Sequence, residues 1–255
     1  MSEFAKIVMV LYLADFFDRH LSHITSDPRQ LFKPLGAVGA MFVLIALEPD
    51  LGTPALMFVI TLFMFFAAGV KRRFILAPIA VAAAIFIEEL FRNPYRITRL
   101  KTFLSPFEKV STSGWQLTQS LLAVGSGGWL GKGLGASQLK LLYLPEPHTD
   151  FIFSVIAEET GFLGSMLIVL LFLGLLIKGV RIARNAPSFY TSLAALGLTL
   201  MITGGAFFNM AMTMGLLPTK GIPLPFFSYG GSSMLTSLIA VGIILNISAH
   251  RNQTA

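Results

Sequence analysis

The chain has 255 residues, 55% of them hydrophobic and only 13% charged, with a mean hydropathy of +0.74. Soluble domains carry about 25% charged side chains, so a water-soluble globule is excluded and lipid is the expected solvent. The absence of cysteine excludes a disulfide framework, a Cys-ligated zinc or iron–sulfur site and a cysteine nucleophile, and the net charge of +6 reads as basic residues flanking apolar runs, not as a nucleic-acid surface.

A membrane span needs roughly 20 apolar residues. About seven runs approach that length, at 4–17, 35–48, 54–70, 74–90, 151–177, 190–217 and 233–249. Their lack of a strict two-residue alternation speaks against barrel strands. The expected fold is therefore all-α, a polytopic helical membrane bundle with a large extracytoplasmic loop. Four spans fall within 1–90, the loop occupies 91–150, and three more spans fall within 151–255 with a second outer loop at 218–232. The stretch from Glu48 through Pro49, Asp50, Leu51, Gly52 and Thr53 to Pro54 reads as a tight polar hairpin.

Orientation follows the basic residues in short loops. Arg19, Arg29 and Lys33 follow the first span, Lys71 to Arg73 the third, and Lys178, Arg181 and Arg184 the fifth, which assigns those loops to the cytoplasm. The 49–53 hairpin and the 91–150 and 218–232 segments then face outward. The first span would start on the outer side almost at Met1, with no signal pattern before it. That arrangement leads to the expectation that earlier spans precede this sequence.

Three stretches carry candidate chemistry. Within the long outer segment, the glycines at 125, 127, 128, 131, 133 and 135 are compatible with backbone approach to a phosphate, although no Walker-type Lys-Ser or Lys-Thr follows and such glycines also serve ordinary turns. Thr149 and Asp150 stand at the start of a long apolar helix, where the commonest use of such residues is a cap. Asp150, Ser154 and Glu158 also recur every four positions, so one helical face carries acidic groups toward the membrane. The prolines and glycines between Gly215 and Ser233 forbid a continuous helix and leave Lys220, Ser228, Tyr229 and Ser232 in an outer loop, either a rigid turn or a polar wall for a ligand. Lys6, one turn after Glu3, either snorkels or serves a site.

The runs Ser2-Glu3-Phe4-Ala5-Lys6, Glu48 to Thr53, Trp115-Gln116-Leu117-Thr118-Gln119-Ser120, Leu144 to Phe153 and Leu217 to Ser233 resemble the bacterial shape, elongation, division and sporulation family of peptidoglycan polymerases, and its division branch more than its elongation branch. The resemblance covers essentially the whole chain, which corresponds to the fourth span onward of ten-span proteins. It implies a plasma-membrane glycosyltransferase at the division septum that uses lipid II as donor and acceptor and releases undecaprenyl pyrophosphate. Asp150 matches the family's catalytic carboxylate. Lys220, Arg99, Lys132 and Lys6 are the candidate phosphate partners, with Glu146, His148 and Ser232 as further substrate contacts. The implied protein partners are a class B penicillin-binding protein and other division proteins.

The chemistry is consistent with these residues. A sugar on a pyrophosphate already has a good leaving group, so transfer needs one base and cationic help for the departing phosphates, which a divalent cation such as Mg or Mn would also supply. No dense metal-ligand motif is present. A lipid-precursor flippase and a non-catalytic division scaffold are the rival readings. The small-residue stretches 194–197 and 204–206 are the expected docking surface for the partner helix, set against internal packing.

Overall fold

The structure, a computed structural model, describes residues 2–24, 31–47, 52–76, 78–80, 88, 103, 114–137 and 149–250. Among them there is no strand. The helices are α1 (Ser2–Ile24), α2 (Phe32–Leu47), α3 (Gly52–Ala67), α4 (Trp115–Ser126), α5 (Ile152–Arg184), α6 (Phe189–Thr213) and α7 (Gly231–Ala249). Helices α5, α6 and α7 are long and apolar enough to cross a membrane, and α2 and α3 are shorter apolar helices. The 48–51 part of the expected hairpin and most of the 74–90 run lie outside the described residues.

The chain divides into two compact units, each assembled from separate stretches. One comprises Met1–Ala80, Leu173–Gly204 and Gly231–Ala255. Here α1 packs on α2, α3 and α7. Its residues Met9, Leu13 and Phe17, spaced by four, form one fully buried stripe, flanked by Val10 and Ala14. Phe17 meets Phe65 of α3 edge-on with ring centroids 5.1 Å apart, and Thr61 lies 3.4 Å from the Met9 sulfur. On α7 the buried positions Ser233, Thr236, Ser237, Ala240, Ile244 and Ile247 follow the same helical spacing.

The small residues 194–197 and Gly204 of α6 are used inside this unit. Ala194 and Ala195 are fully buried, a Cβ on Gly197 would stand 2.6 Å from Val10 Cγ1, and one on Gly204 would stand 3.3 Å from Leu56 Cδ1. The expectation that these residues form a docking surface for a partner is therefore corrected. They let α6 approach the chain's own α1 and α3.

The second unit comprises Val81–Phe172 and Gly205–Gly230. Two of its features depart from the reading of the sequence. The 91–150 segment is no plain loop, because α4 lies within it, bracketed by Gly114 and Gly127. Its buried face, Leu117, Thr118, Ser120 and Ala123, is half polar, which hides the helical period from a purely apolar count.

The other departure is that α5 is broken. Gly161 has φ 67° and ψ −162°, a conformation essentially reserved for glycine. The segment 127–133 closes the break. Lys132 N and Gly133 N donate to the freed carbonyls of Glu158 and Glu159 at 3.0 and 3.1 Å. In return Phe162 N and Leu163 N donate to Gly128 O and Trp129 O at 2.8 and 3.2 Å. Four backbone groups at the kink are thereby paired across it, as buried backbone requires.

Candidate active site

The turn that carries Asp150 is built from below. Phe151 is buried with Val155 and Ala123, which pins the start of α5 to α4. Beneath it, Ser154 Oγ and Ser120 Oγ lie 2.5 Å apart, and Ser120 donates to Thr213 O at 2.7 Å at the end of α6. The face marked by the four-residue spacing is thus an inward face: Ser154 is fully buried and Glu158 only 2% exposed. Glu158 Oε1 accepts from Lys132 Nζ at 2.8 Å and Oε2 accepts from Ser137 Oγ at 2.7 Å.

Helix α6 ends in a glycine cap. Gly215 sits at φ 71°, with Leu216 N donating to Ala211 O at 2.8 Å and Gly215 N to Met212 O at 3.0 Å, which is a Schellman closure. The chain then returns across the Asp150 turn. Lys220 N donates to the Met212 sulfur at 2.8 Å, and Ile222 N donates to Lys220 O at 2.9 Å, a three-residue turn around Gly221. A Cβ at Gly221 would lie 3.3 Å from Asp150 Oδ2, so the backbone passes directly beside the carboxylate. Farther along, Leu224 N donates to Ser228 Oγ at 2.7 Å and Ser228 N returns to Leu224 O at 2.9 Å; this reciprocal pair encloses Phe226, held at φ 68°.

Two side chains tie this loop to the Asp150 turn. Ser228 Oγ donates to Thr149 O at 2.6 Å. Asn209 Nδ2 donates to Asp150 O at 2.8 Å and to Ile222 O at 2.7 Å.

Of the residues expected to form the site, Asp150 and Lys220 are therefore brought together through the Asp150–Gly221 approach, and both are half-buried. Lys132 belongs to the same unit, but its ammonium is paired with Glu158. The glycines around it serve the α5 break: Lys132 N and Gly133 N are used by helix carbonyls, and a Cβ on Gly131 would strike the Glu159 carbonyl. Lys6 and Ser232 lie in the other unit and share one polar chain there. Lys6 Nζ is 2.6 Å from Glu3 Oε1, and the Thr236 hydroxyl stands 3.5 Å from Glu3 Oε2 and 2.9 Å from Ser232 O. Arg99, Glu146 and His148 lie outside the described residues. Among the described residues no group of three or more His, Asp or Glu is placed to hold a metal ion.

Asn209 is a polar member of the site that reasoning from sequence did not single out, while Ser120 and Ser228 stood in noted runs without the contacts the structure gives them. A lone asparagine between Phe208 and Met210 in an apolar helix was the available signal, since a polar group at that depth is costly unless it has a task.

A chain whose described residues form helices and no strand, three of the helices long and apolar enough to cross a membrane, with a carboxylate just before one of them, is an integral membrane protein with a built polar site. Residues 1–253 match the model of the FtsW, RodA and SpoVE family, described as "Cell cycle protein", and the chain belongs to that family. It is 44% identical over 249 residues to Stage V sporulation protein E of Bacillus subtilis (strain 168), covering 98% of this chain and 68% of that protein. It is 42% identical over 248 residues to a probable peptidoglycan glycosyltransferase FtsW of Trichlorobacter lovleyi, covering 97% of this chain and 65% of that one. A solved chain reported under "Structural coordination of polymerization and crosslinking by a peptidoglycan synthase complex" superposes with a TM-score of 0.76 at 27% identity, over 99% of this chain and 70% of that chain. This sequence thus spans about two thirds of the length of the curated relatives it matches.

Proposed function

We propose that this chain is the catalytic part of a peptidoglycan glycosyltransferase that transfers glycan from one lipid II to another on the outer face of the bacterial plasma membrane during division. The observation that carries the reading is the clamped Asp150 turn, with its carboxylate against Gly221 and next in sequence to Lys220. Asp150 takes the proton of the acceptor hydroxyl as that oxygen bonds to the donor sugar's anomeric carbon. The bond from that carbon to undecaprenyl pyrophosphate breaks, and its electron pair leaves on the phosphate. Lys220 opposes the charge that grows there, a form of electrostatic help worth several kcal/mol when the donor is preorganised. Because the leaving group departs as a stable anion, a second carboxylic acid of the glycosidase kind is unnecessary. Arg99, Glu146, His148, Lys6 and Ser232 are the further candidate substrate contacts, and Lys132 primarily supports the loop. A class B penicillin-binding protein at the septum is the proposed cross-linking partner.

The test is Asp150→Asn, which keeps the shape and polarity of the side chain and removes its basicity. The purified membrane protein, given labelled lipid II, should lose at least about 100-fold in polymerisation rate, the usual scale for a general base, while inserting normally. Glycan ladders of wild-type intensity from the variant would refute the assignment.

A further inference from the structure

We infer that Asn209 is a positioning residue, whose side-chain amide sets the direction in which the Asp150 side chain leaves the backbone and fixes the 218–228 loop against it. This inference rests on the catalytic reading of Asp150. The geometry behind it is the pairing of two adjacent peptide planes. Thr149 O belongs to the peptide plane before the Asp150 Cα and Asp150 O to the plane after it. Ser228 Oγ holds the first at 2.6 Å and Asn209 Nδ2 the second at 2.8 Å. Fixing both planes fixes the φ and ψ of Asp150, and with them the direction of its Cα–Cβ bond. A backbone pinned on one side alone leaves that direction free to swing.

The same two side chains also hold the opposite wall. The second N–H of Asn209 Nδ2 goes to Ile222 O at 2.7 Å, and Ser228 Oγ accepts from Leu224 N at 2.7 Å. A primary amide suits this task because one nitrogen carries two donors that diverge, so a single atom bridges two chain segments. Asn209 is 0% exposed, and its own Oδ1 is buried without a hydrogen-bond partner among the described residues. An unsatisfied buried carbonyl is unfavourable, and an apolar residue would avoid it. The chain nonetheless places an amide there, and what the amide supplies is its two donors.

The experiment compares Asn209→Ala, the volume-retaining Asn209→Leu and the isosteric Asn209→Asp with Asp150→Asn in the purified, lipid-reconstituted chain, and separates kcat from KM for lipid II. Misplacing a reacting group by about 1 Å costs on the order of 100-fold in rate. Asn209→Ala and Asn209→Leu should accordingly lower kcat about 10- to 100-fold per inserted molecule, with KM changed less than about 3-fold. Asn209→Asp adds a readout that a merely structural role would not move. Its carboxyl donates to neither carbonyl when ionised but to one when protonated, so its kcat relative to wild type should rise as pH falls. A kcat within about 2-fold of wild type in whichever of the Ala and Leu variants inserts, or a loss confined to KM, overturns the inference. If Asp150→Asn polymerises normally, the catalytic reading itself has failed; if Asp150→Asn is silent while Asn209→Leu keeps its kcat, only the positioning role is lost.

Discussion

At the scale of single residues, the site depends on what is missing from Gly221 as much as on what Asp150 brings. The φ of Gly221 is not positive, so its backbone is open to alanine, and only the space beside the carboxylate forbids a side chain. A methyl 3.3 Å from Asp150 Oδ2 forces either the carboxylate or the loop to give way by a few tenths of an ångström. Clamped by Asn209 and Ser228, neither has much room. Gly221→Ala should therefore reduce kcat by about 10-fold, a displacement effect smaller than outright removal of the base, with little change in melting temperature. Unaltered turnover would mean that the carboxylate works in a direction away from the loop. Asp150 was a candidate from its place at the head of an apolar helix and from resemblance. Asn209 and Gly221 were not, because their significance lies in contacts with residues far away in sequence.

At the scale of elements, the strongest departure from the sequence pattern is the break at Gly161. Periodicity reads 151–177 as one run, since a lone glycine in a helix is ordinarily tolerated at about 1 kcal/mol. Only the docked segment 127–133 explains it. Gly161 needs its left-handed φ, and a Cβ there would strike the backbone of Leu130 and Gly131. Two of the glycines that looked suited to phosphate, Gly127 and Gly131, instead let backbone meet backbone at this break, and the Lys132–Glu158–Ser137 network secures the same junction. Most of the spans were legible because lipid imposes a long apolar period; α4 was hidden because it buries hydroxyl groups against hydroxyl groups. Gly161→Ala combines backbone strain of about 1–3 kcal/mol with a clash that cannot be relieved by a rotamer change. It should lower the detergent melting temperature clearly and reduce the yield of inserted protein. Gly174→Ala, where a Cβ meets nothing nearby, should leave both unchanged. Equal effects from the two would show that the junction is not what the glycine supports.

At the scale of the whole molecule, the break in α5 also bears on orientation. Residues 162–184, at about 1.5 Å per residue, reach roughly 35 Å, enough to cross a hydrocarbon core of about 30 Å. Several of their large side chains, Phe162, Leu163, Leu167, Leu170 and Leu171, are exposed, as suits lipid contact, while Ile168 and Phe172 are buried. Arg181 and Arg184 close the last turn of this helix, and Asp150 precedes its first. Basic residues concentrate on the cytoplasmic side of short loops, so the expected place of Asp150 is outside, the side on which an undecaprenyl-linked glycan would be polymerised. The chain contains no cysteine, which makes the assignment directly testable. Tyr229 in the outer loop is 84% exposed, and Ser188, just after α5, is exposed as well. In intact cells a membrane-impermeant thiol reagent should label Tyr229→Cys and spare Ser188→Cys, which should react only once the membrane is permeabilised. Labelling of Ser188→Cys alone in intact cells would invert the topology, leave Asp150 facing the cytoplasm, and remove the polymerase reading in favour of a cytoplasmic role for the site.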